Sequence, residues 1–402
     1  METVRIRDIK VFITAPAKVN LVVVRVETSV PGLYGLGCAT FAWRAKAVAA
    51  AVDEYLRPLL IGRDVDDIED IWNAAYQSSY WRGGPVLNNA LSGVDEALWD
   101  IKGKRAGLPL YSLLGGRSRT GVAIYRHANA STTDEVLEKI AKLKDEGYRY
   151  ARVCSGSGRL DCRSYDISSP RDPFDGMYFS PRQYMDKMIG LFSRIRDEFG
   201  DEIELIHDVH ERLSLPDTIS FARAMEEFNL YFLEDSLGHE EISSYRRLRE
   251  KTTIPLAVGE LFTSPCNWME LIEDNLVDYL RVHASAIGGI TPALKLCHIA
   301  EAHGIGIAFH GPDDISPVGM AAQLHIDMNI HNFGVQEFMG FSDEVMDVFP
   351  CGIEIEDGYA YPSNEPGLGV DFDEVKARRY PAVEMDASWT IARNPDGTII
   401  RP

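Results

Sequence analysis

The sequence lacks the features that mark secreted, membrane-spanning and nucleic-acid-binding proteins. Its 402 residues include only six cysteines and no CxxC pair, so neither a disulfide framework nor a thiolate zinc site is expected. There is no run of 18 apolar residues, and residues 1–8 lack the apolar segment of a signal peptide. Lys and Arg number 41 against 61 Asp and Glu, a net charge of −20 that repels phosphate backbones. We therefore expect a cytoplasmic protein that binds neither nucleic acid nor membrane.

What the sequence does contain is typical of an ordinary soluble globular protein. Hydrophobic residues make up 45% and charged residues 25% of the chain. Within residues 203–260, three short apolar runs each end in a carboxylate, at Asp208, Glu234 and Glu260, and these are spaced 26 residues apart. The stretches between them have apolar residues at helical spacing. A strand followed by a helix, repeated, predicts a parallel sheet, because parallel neighbours need such a crossover.

Extending the count along the chain predicts a barrel. Eight apolar runs alternate with helical patterns, and eight is the number of strands that closes a barrel. The runs are 121–127, 149–154, 203–208, 231–234, 255–260, 279–283, 306–310 and 334–337. Hydroxyl–proline pairs at Ser264, Thr291 and Ser316 predict helix starts, and Gly304 predicts the end of the helix that begins at Thr291.

The N-terminal part shows no such alternation. Two predicted strands, 4–14 and 19–28, precede a flexible loop at 31–44, and three helical patterns follow at 45–56, 66–80 and 88–106. The predicted fold class is therefore α/β: a (β/α)7β TIM-type barrel with an α+β N-terminal capping domain. We expect the capping domain at 1–118, the barrel at 119–345, and a segment at 346–402 that packs back on the cap. Residues 155–182 are too long for an ordinary connection and are predicted to form a lid.

The three carboxylates predict a metal site. The C-terminal ends of barrel strands meet at one face, so Asp208, Glu234 and Glu260 would converge there and repel one another. A divalent cation removes that conflict, and an all-oxygen set suits Mg²⁺ or Mn²⁺. The alternative is three unrelated acids that cap helices or pair with surface Lys and Arg. Their equal spacing, each at the end of an apolar strand, favours the metal.

Two histidines flank the first of these ligands. His210 lies two residues after Asp208, so strand alternation would put both on one face, and His210 is the candidate general acid. His207 would point the other way and is predicted to pack between barrel and helices.

With these strand ends beneath an α+β cap, the chain resembles the enolase superfamily over essentially its whole length. More narrowly, it is similar to the mannonate dehydratase subgroup. Within that subgroup it is most similar to the starvation-sensing, D-galactonate dehydratase family member branch, whose Gly37-Cys38-Ala39-Thr40-Phe41 pattern it shares. The matching stretches are Ile68–Trp72, Tyr80–Val86, His207–Leu213, Gly288–Thr291 and Phe333–Glu337.

The resemblance implies a homo-oligomeric, Mg²⁺-dependent acid-sugar dehydratase. In such enzymes an α-proton is removed, the metal stabilises the enolate, and loss of the β-hydroxyl gives a 2-keto-3-deoxy sugar acid. By resemblance, Arg152 at the second strand end would partner a tyrosine of the next loop as the general base. Tyr165 is the candidate, although its sequence context differs from that of the subgroup; the alternative is a mobile loop aromatic.

The same resemblance implies a set of substrate-binding residues. They are His127, Glu260, Arg281, His310, Asp314 and Glu337. For Asp314 the alternative is a helix N-cap near Ser316. The sixth strand carries no Asp to pair with His310, and the second carries no Lys-x-Lys, so racemase and lactonizing chemistry are disfavoured.

One departure bears on activity. Active dehydratases of the subgroup have an asparagine where this chain has Ala42, and a methyl cannot satisfy a sugar hydroxyl. This is consistent with weak or undetectable activity on D-mannonate. The alternative function is a metal-binding, starvation-sensing regulator that binds a metabolite without turning it over.

Overall fold

The computed structural model describes residues 3–154, 174, 177–386 and 391–401. They form two compact units. The first comprises Met1–Ala123, Glu260–Trp268 and Arg281–Met385, and the second comprises Ile124–Gly259, Met269–Leu280 and Asp386–Pro402. Within the described part of the chain, no helix combines the length and apolarity needed to cross a membrane.

The N-terminal part of the first unit is an antiparallel sheet covered by helices. The strands β1, β2 and β3 pair in sequence order, and their bounds are Ile6–Thr14, Leu21–Thr28 and Tyr34–Cys38. The helices α1 to α5 span Ala45–Ala51, Arg57–Leu60, Ile68–Gln77, Pro85–Ala106 and Leu110–Leu113, with a π-helical turn at Val52–Leu56. One apolar core lies between the sheet and α4, with Val24, Val94 and Leu98 fully buried.

The prediction of a flexible loop over 31–44 is wrong where β3 forms. The glycines that suggest a loop are instead needed for close packing against α4. A Cβ at Gly35 would lie 1.9 Å from the Ala97 carbonyl oxygen, and one at Gly37 would lie 2.0 Å from that of Gly93. Glycine here permits backbone contact between strand and helix rather than flexibility.

The second unit contains a parallel ladder in which strands and helices alternate. Its main strands pair in the order β4, β5, β7, β8, β9, β10. The strand bounds are Val122–His127 (β4), Tyr150–Arg152 (β5), Met177–Tyr178 (β6), Glu204–Asp208 (β7), Phe232–Glu234 (β8), Leu256–Val258 (β9) and Tyr279–Leu280 (β10). The helices α6 to α10 span Thr133–Asp145, Pro181–Phe199, Leu215–Met225, Ile242–Arg249 and Pro265–Glu273. Six of these strands, all except β6, match six of the predicted runs.

The C-terminal part of the first unit continues the alternation. Its elements are α11 (Ile290–Ala302), β11 (Gly306–Ile307), α12 (Pro317–Asn329), β12 (Gln336–Glu337), α13 (Asp343–Val348), β13 (Glu354–Glu356), β14 (Tyr359–Tyr361) and α14 (Glu374–Ala377). Residues after α13 contact the N-terminal strands: the Ala15 amide donates to the Tyr380 carbonyl at 2.9 Å, and the rings of Phe12 and Phe372 lie 5.1 Å apart.

Two further strands lie in the second unit. They are β15 (Ala392–Arg393) and β16 (Ile399–Ile400), which form an antiparallel pair. Strand β15 also pairs in parallel with β6, a strand that falls inside the predicted lid at 155–182. The C-terminal residues 391–401 therefore pair with the end of that segment rather than with the N-terminal strands. Most of the predicted lid lies outside the described residues.

The predicted helix boundaries are mostly confirmed. Helix α12 begins at Pro317 with Ser316 as its N-cap, α10 begins at Pro265, and Gly304 follows α11 with φ +73°. The start predicted at Thr291 is wrong, because α11 begins at Ile290. Thr291 does not cap the helix; its hydroxyl donates to a carboxylate oxygen of Asp95 at 2.5 Å.

Candidate active site

Two of the predicted metal ligands end neighbouring strands of the second unit. Asp208 is the last residue of β7 and Glu234 the last of β8, and the parallel register places them side by side. Carboxylate oxygens of the two residues lie within 4.8 Å of each other, and both side chains are buried. Two buried carboxylates at this separation are a hard donor pair that suits Mg²⁺.

The surroundings of Asp208 keep it ionised. The His210 amide donates to its Oδ1 at 2.8 Å, and the His210 Nε2 lies 2.9 Å from Oδ2. The Arg152 guanidinium also pairs with Oδ2. Burial raises the pKa of Asp208, but His210 and Arg152 outweigh that effect and hold the pKa well below its usual range. An ionised carboxylate is what metal binding requires.

The third predicted ligand follows the next strand of the ladder. Glu260 comes two residues after β9, and β9 pairs with β8 so that Ala257 lies beside Glu234. Within the first unit, Glu260 Oε2 lies 3.2 Å from His310 Nε2. The donor set that these strand ends offer is entirely carboxylate oxygen, and such a set fits Mg²⁺ or Mn²⁺ better than a soft metal.

His210 contacts Asp208 as predicted, but not for the predicted reason. Strand β7 ends at Asp208, so strand alternation does not extend to His210. Instead His210 and Glu211 have φ angles of +52° and +58°, a region that non-glycine residues rarely adopt. This turn brings the His210 imidazole back to the Asp208 carboxylate. Backbone strain of this kind is often retained at functional sites.

Arg152 connects two histidines of the second unit, His127 and His210. Its Nη1 lies 3.2 Å from His127 Nε2, and its Nη2 lies 3.2 Å from His210 Nε2. The structure therefore brings three predicted site residues together: Arg152 and His210 both contact Asp208, and His127 contacts Arg152. Tyr165, the predicted base, lies outside the described residues, and its role stays a prediction.

The first unit holds a second group of predicted residues. Arg281 is buried and pairs with Glu337 Oε2 at 2.8 Å, while its Nη1 donates to the Ala308 and Phe309 carbonyls at 2.9 Å. The Gly311 amide also donates to Glu337 Oε2, at 3.1 Å. This buried pair fixes the end of β12, and direct contact of either residue with substrate stays a prediction.

His310 belongs to the same group. Its Nε2 faces Glu260 at 3.2 Å and Glu337 at 4.0 Å, and its Nδ1 lies 3.1 Å from Nδ1 of His283. Burial lowers the pKa of His310, but the two carboxylates outweigh burial and raise it to about 9. The sequence analysis noted only that no Asp ends the sixth predicted run, and it did not identify His283 as a site residue. A usable signal was present, because His283 follows Arg281 by two residues at the end of that run.

Asp314 does not cap a helix, so the alternative considered for it is wrong. The α12 N-cap is Ser316, whose hydroxyl accepts from the Gly319 amide. Among the described residues, the buried Oδ1 of Asp314 has no hydrogen-bond partner. A buried carboxylate oxygen without a partner is compatible with the predicted substrate-binding role of Asp314, which stays a prediction.

His207 is a packing residue, as predicted. It is fully buried, and its ring packs against Phe192 of α7 and Phe221 of α8. Its Nε2 contacts the Tyr184 hydroxyl at 2.7 Å, and burial lowers its pKa to about 4.

Another cluster of acidic residues and a histidine lies in the second unit. Glu211, His239 and Glu240 bring potential ligand atoms within 4.8 Å of one another. Arg401 reaches the same cluster, with its Nη2 at 3.7 Å from Glu240. The Arg401 guanidinium already supplies a positive charge to this cluster, and Glu240 is exposed. Both observations fit a surface charge network better than a second metal site.

Comparisons with known proteins agree with this arrangement. Residues 1–115 match the family described as mandelate racemase / muconate lactonizing enzyme, N-terminal domain, and residues 135–376 match enolase C-terminal domain-like. A D-galactonate dehydratase family member from Enterocloster bolteae is 56% identical, and one from Salmonella virchow is 46% identical, each over 100% of both chains. The crystal structure of an enolase from Pantoea ananatis with bound D-gluconate and Mg is 45% identical, has a TM-score of 0.96, and matches over 99% of this chain and 100% of that one.

Proposed function

We propose that this chain, which belongs to the enolase superfamily, is a Mg²⁺-dependent dehydratase of acid sugars, and that its substrates are six-carbon aldonates of the D-mannonate type. Membership of the superfamily gives the chain an N-terminal capping domain and a C-terminal barrel. The observation that carries the proposal is the pairing of Asp208 with Glu234 at the ends of adjacent parallel strands. These are the positions at which a barrel enzyme places its catalytic groups.

Asp208, Glu234 and Glu260 would hold the metal. When bound, Mg²⁺ would bind the substrate carboxylate and stabilise the negative charge that develops as the α-proton is lost. The contribution of the chain is to keep these carboxylates ionised and fixed. Asp208 is fixed by Arg152 and by two contacts with His210.

His210 is proposed as the general acid. It would give the proton on its imidazole to the β-hydroxyl, so that the hydroxyl departs as water. The pairing of its Nε2 with Asp208 holds the ring beside a metal ligand, where the substrate carboxylate would bind. Arg152 and Tyr165 are proposed to remove the α-proton, with the arginine favouring the ionised tyrosine.

The substrate class follows from the chemistry and from a similar protein. D-Mannonate and D-gluconate differ only in configuration at C2, and that centre becomes a carbonyl carbon in the product. Both epimers would therefore give the same 2-keto-3-deoxy acid. The similar Pantoea ananatis protein has D-gluconate and Mg bound, so the two epimers are the first substrates to compare.

The test is a direct assay for the 2-keto-3-deoxy acid. The full chain would be incubated with a panel of aldonate epimers, with Mg²⁺ or with a chelator. Product that forms from one or both epimers, needs Mg²⁺, and is absent with Asp208→Asn would support the proposal. No product across the panel from a folded, Mg²⁺-binding protein would contradict it.

A second candidate function is a regulator that binds an acid sugar without turning it over. The observation that favours it is Ala42, which is buried with only 2% of its surface exposed and stands where the family resemblance implies an asparagine in active dehydratases. Exchange of the substrate α-proton in D₂O separates the two functions. Slow deuterium incorporation supports the dehydratase, whereas saturable binding without any exchange supports the regulator.

A further inference from the structure

The three candidate metal ligands do not have the same backbone support. Asp208 and Glu234 are the last residues of β7 and β8, so the hydrogen bonds of the parallel ladder fix their backbone. Glu260 lies two residues beyond Val258, the end of β9, and therefore follows the ladder instead of belonging to it. A ligand outside the sheet needs another element to fix it, because metal affinity depends on how well the surroundings orient each ligand.

The side chain of Asn88 supplies such a contact. Asn88 lies in the first turn of α4 and is only 2% exposed. Its Nδ2 donates to the carbonyl of Thr263, the third residue after Glu260, at 2.7 Å. The same nitrogen donates to the Ala286 carbonyl at 2.8 Å. All of these residues belong to the first unit.

The two acceptors use both hydrogens of the Asn88 amide group. Carbonyl oxygens only accept hydrogen bonds, so the atom that faces both of them is the nitrogen, whose two hydrogens can each serve one carbonyl. An aspartate would place an oxygen against two carbonyl oxygens, and an alanine would leave both carbonyls without this donor. Asn88 thus joins two backbone segments through one atom.

Other contacts hold the segment around Ala286 in place. Ala286 is buried within a single 3₁₀ turn, Ala284–Ile287. The amide at the start of this turn donates to Gln323 Oε1 at 3.3 Å. The residue after the turn, Gly288, accepts a hydrogen bond from Trp72 Nε1 at its carbonyl, at 2.9 Å. The turn is therefore a fixed point to which Asn88 joins Thr263.

The contacts of the segment around Thr263 include a local pair. The Thr263 and Ser264 amides both donate to Asn267 Oδ1, at 3.0 and 2.9 Å. These bonds shape the start of α10, but they join residues of one short segment and move with it. The bond from Asn88 instead joins this segment to a residue 175 positions away along the chain. It therefore fixes where the segment lies, and not only its local shape.

We propose that Asn88 is a positioning residue that sets the place of Glu260 through the Thr263 carbonyl. The inference rests on the proposed function, in which Glu260 is a Mg²⁺ ligand. Without the two hydrogen bonds of Asn88, the backbone after Glu260 would gain freedom. Mg²⁺ would then have to order that backbone on binding, and this ordering lowers affinity.

The test compares two neighbouring asparagines of α4. Asn89 is also only 2% exposed, and its Nδ2 donates within its own helix, to the Pro85 carbonyl at 2.7 Å. Isothermal titration calorimetry of the full chain should show a Mg²⁺ Kd raised about 10-fold in Asn88→Ala, the lower end of the range for residues that support metal ligands. In Asn89→Ala the Kd should stay close to the wild-type value.

Thermal unfolding and amide hydrogen exchange separate positioning from a general loss of stability. Both variants lose a buried hydrogen-bonding side chain, so both should have a lower Tm. Only Asn88→Ala should exchange faster in peptides that cover residues 260–264, measured without Mg²⁺. A purely structural role would lower Tm in both variants and leave Mg²⁺ affinity unchanged in both.

Two results would overturn the proposal. One is a wild-type Mg²⁺ affinity in folded Asn88→Ala, and the other is an equal loss of affinity in Asn89→Ala. If Asn88→Ala does not fold, Asn88→Ser and Asn89→Ser replace the pair. A serine hydroxyl keeps one donor but cannot serve two carbonyls, so the Kd should still rise in the first variant and not in the second.

Turnover of the wild type distinguishes this proposal from the proposed function. A wild type that dehydrates no aldonate would contradict the dehydratase. The difference in Mg²⁺ affinity between Asn88→Ala and Asn89→Ala would still decide the role of Asn88.

Discussion

His210 contacts Asp208 twice, through its amide to Oδ1 at 2.8 Å and through its Nε2 to Oδ2 at 2.9 Å. The two residues are only two positions apart, and both contacts depend on the left-handed backbone of His210 at φ +52°. One tight turn thus places a candidate general acid beside a candidate metal ligand.

Removing one carboxylate charge should strongly weaken metal binding. Glu234→Gln keeps the size of the side chain but replaces an anionic oxygen by a neutral amide, so Mg²⁺ affinity should fall about 100-fold or more and turnover should fall with it. Isothermal titration calorimetry with Mg²⁺ measures the effect. Glu227→Gln, the same change at an exposed residue, is the matched control. Wild-type affinity in Glu234→Gln would exclude Glu234 as a ligand.

Removing the candidate acid should reduce chemistry but not metal binding. In His210→Asn the amide of residue 210 can still donate to Asp208, but no side chain can transfer a proton. We expect kcat to fall roughly 10²- to 10⁴-fold, the usual contribution of a general acid, with Mg²⁺ affinity within a few-fold of the wild type. A variant that retains wild-type kcat would show that the leaving hydroxyl takes its proton from elsewhere.

Burial of Asp95 should make the stability of the first unit depend on pH. Burial raises the pKa of Asp95 from 3.8 to about 7, although Thr291 donates to it from both its amide and its hydroxyl. The folded chain then binds more protons than the unfolded chain between these values, so the free energy of unfolding should decrease as pH rises through that range. The decrease should be on the order of a few kcal/mol.

Urea unfolding at pH 5 and pH 8 measures this effect. Asp95→Asn removes the titrating group while its amide oxygen still accepts from Thr291, so the difference between the two pH values should shrink in the variant. An identical pH dependence in wild type and Asp95→Asn would mean that Asp95 ionises normally in the folded chain.

The glycines of β3 should be intolerant of even one methyl group. A Cβ at Gly37 would lie 2.0 Å from the Gly93 carbonyl oxygen, so Gly37→Ala must displace β3 or α4 and should destabilise the chain by roughly 1–3 kcal/mol. Gly190 is the matched control. It lies inside α7, and a Cβ at this position would have no heavy atom within 4 Å among the described residues outside its own helix backbone, so Gly190→Ala should stabilise by about 0.5–1 kcal/mol. Thermal unfolding of both variants measures the contrast, and equal effects would contradict close packing at Gly37.

Much of the fold could be predicted because the signals are local. Apolar runs and capping pairs such as Ser316-Pro317 depend on neighbours along the chain, and these predictions are confirmed. The errors arose where a distant element decides the outcome. Residues Tyr34–Cys38 look like a glycine-rich loop until α4 packs on them, and Thr291 looks like an N-cap until the Asp95 carboxylate binds it.

The sequence by itself determined the alternation of strands and helices and the carboxylates that end β7 and β8, because hydrophobic periodicity and strand ends are properties of short segments. Only the tertiary structure decided which side chains contact one another. It placed His210 by a turn rather than by strand alternation, directed Arg281 to Glu337, and paired His310 with His283. Such contacts depend on buried groups from separate segments satisfying one another, and no pattern within a single segment encodes them.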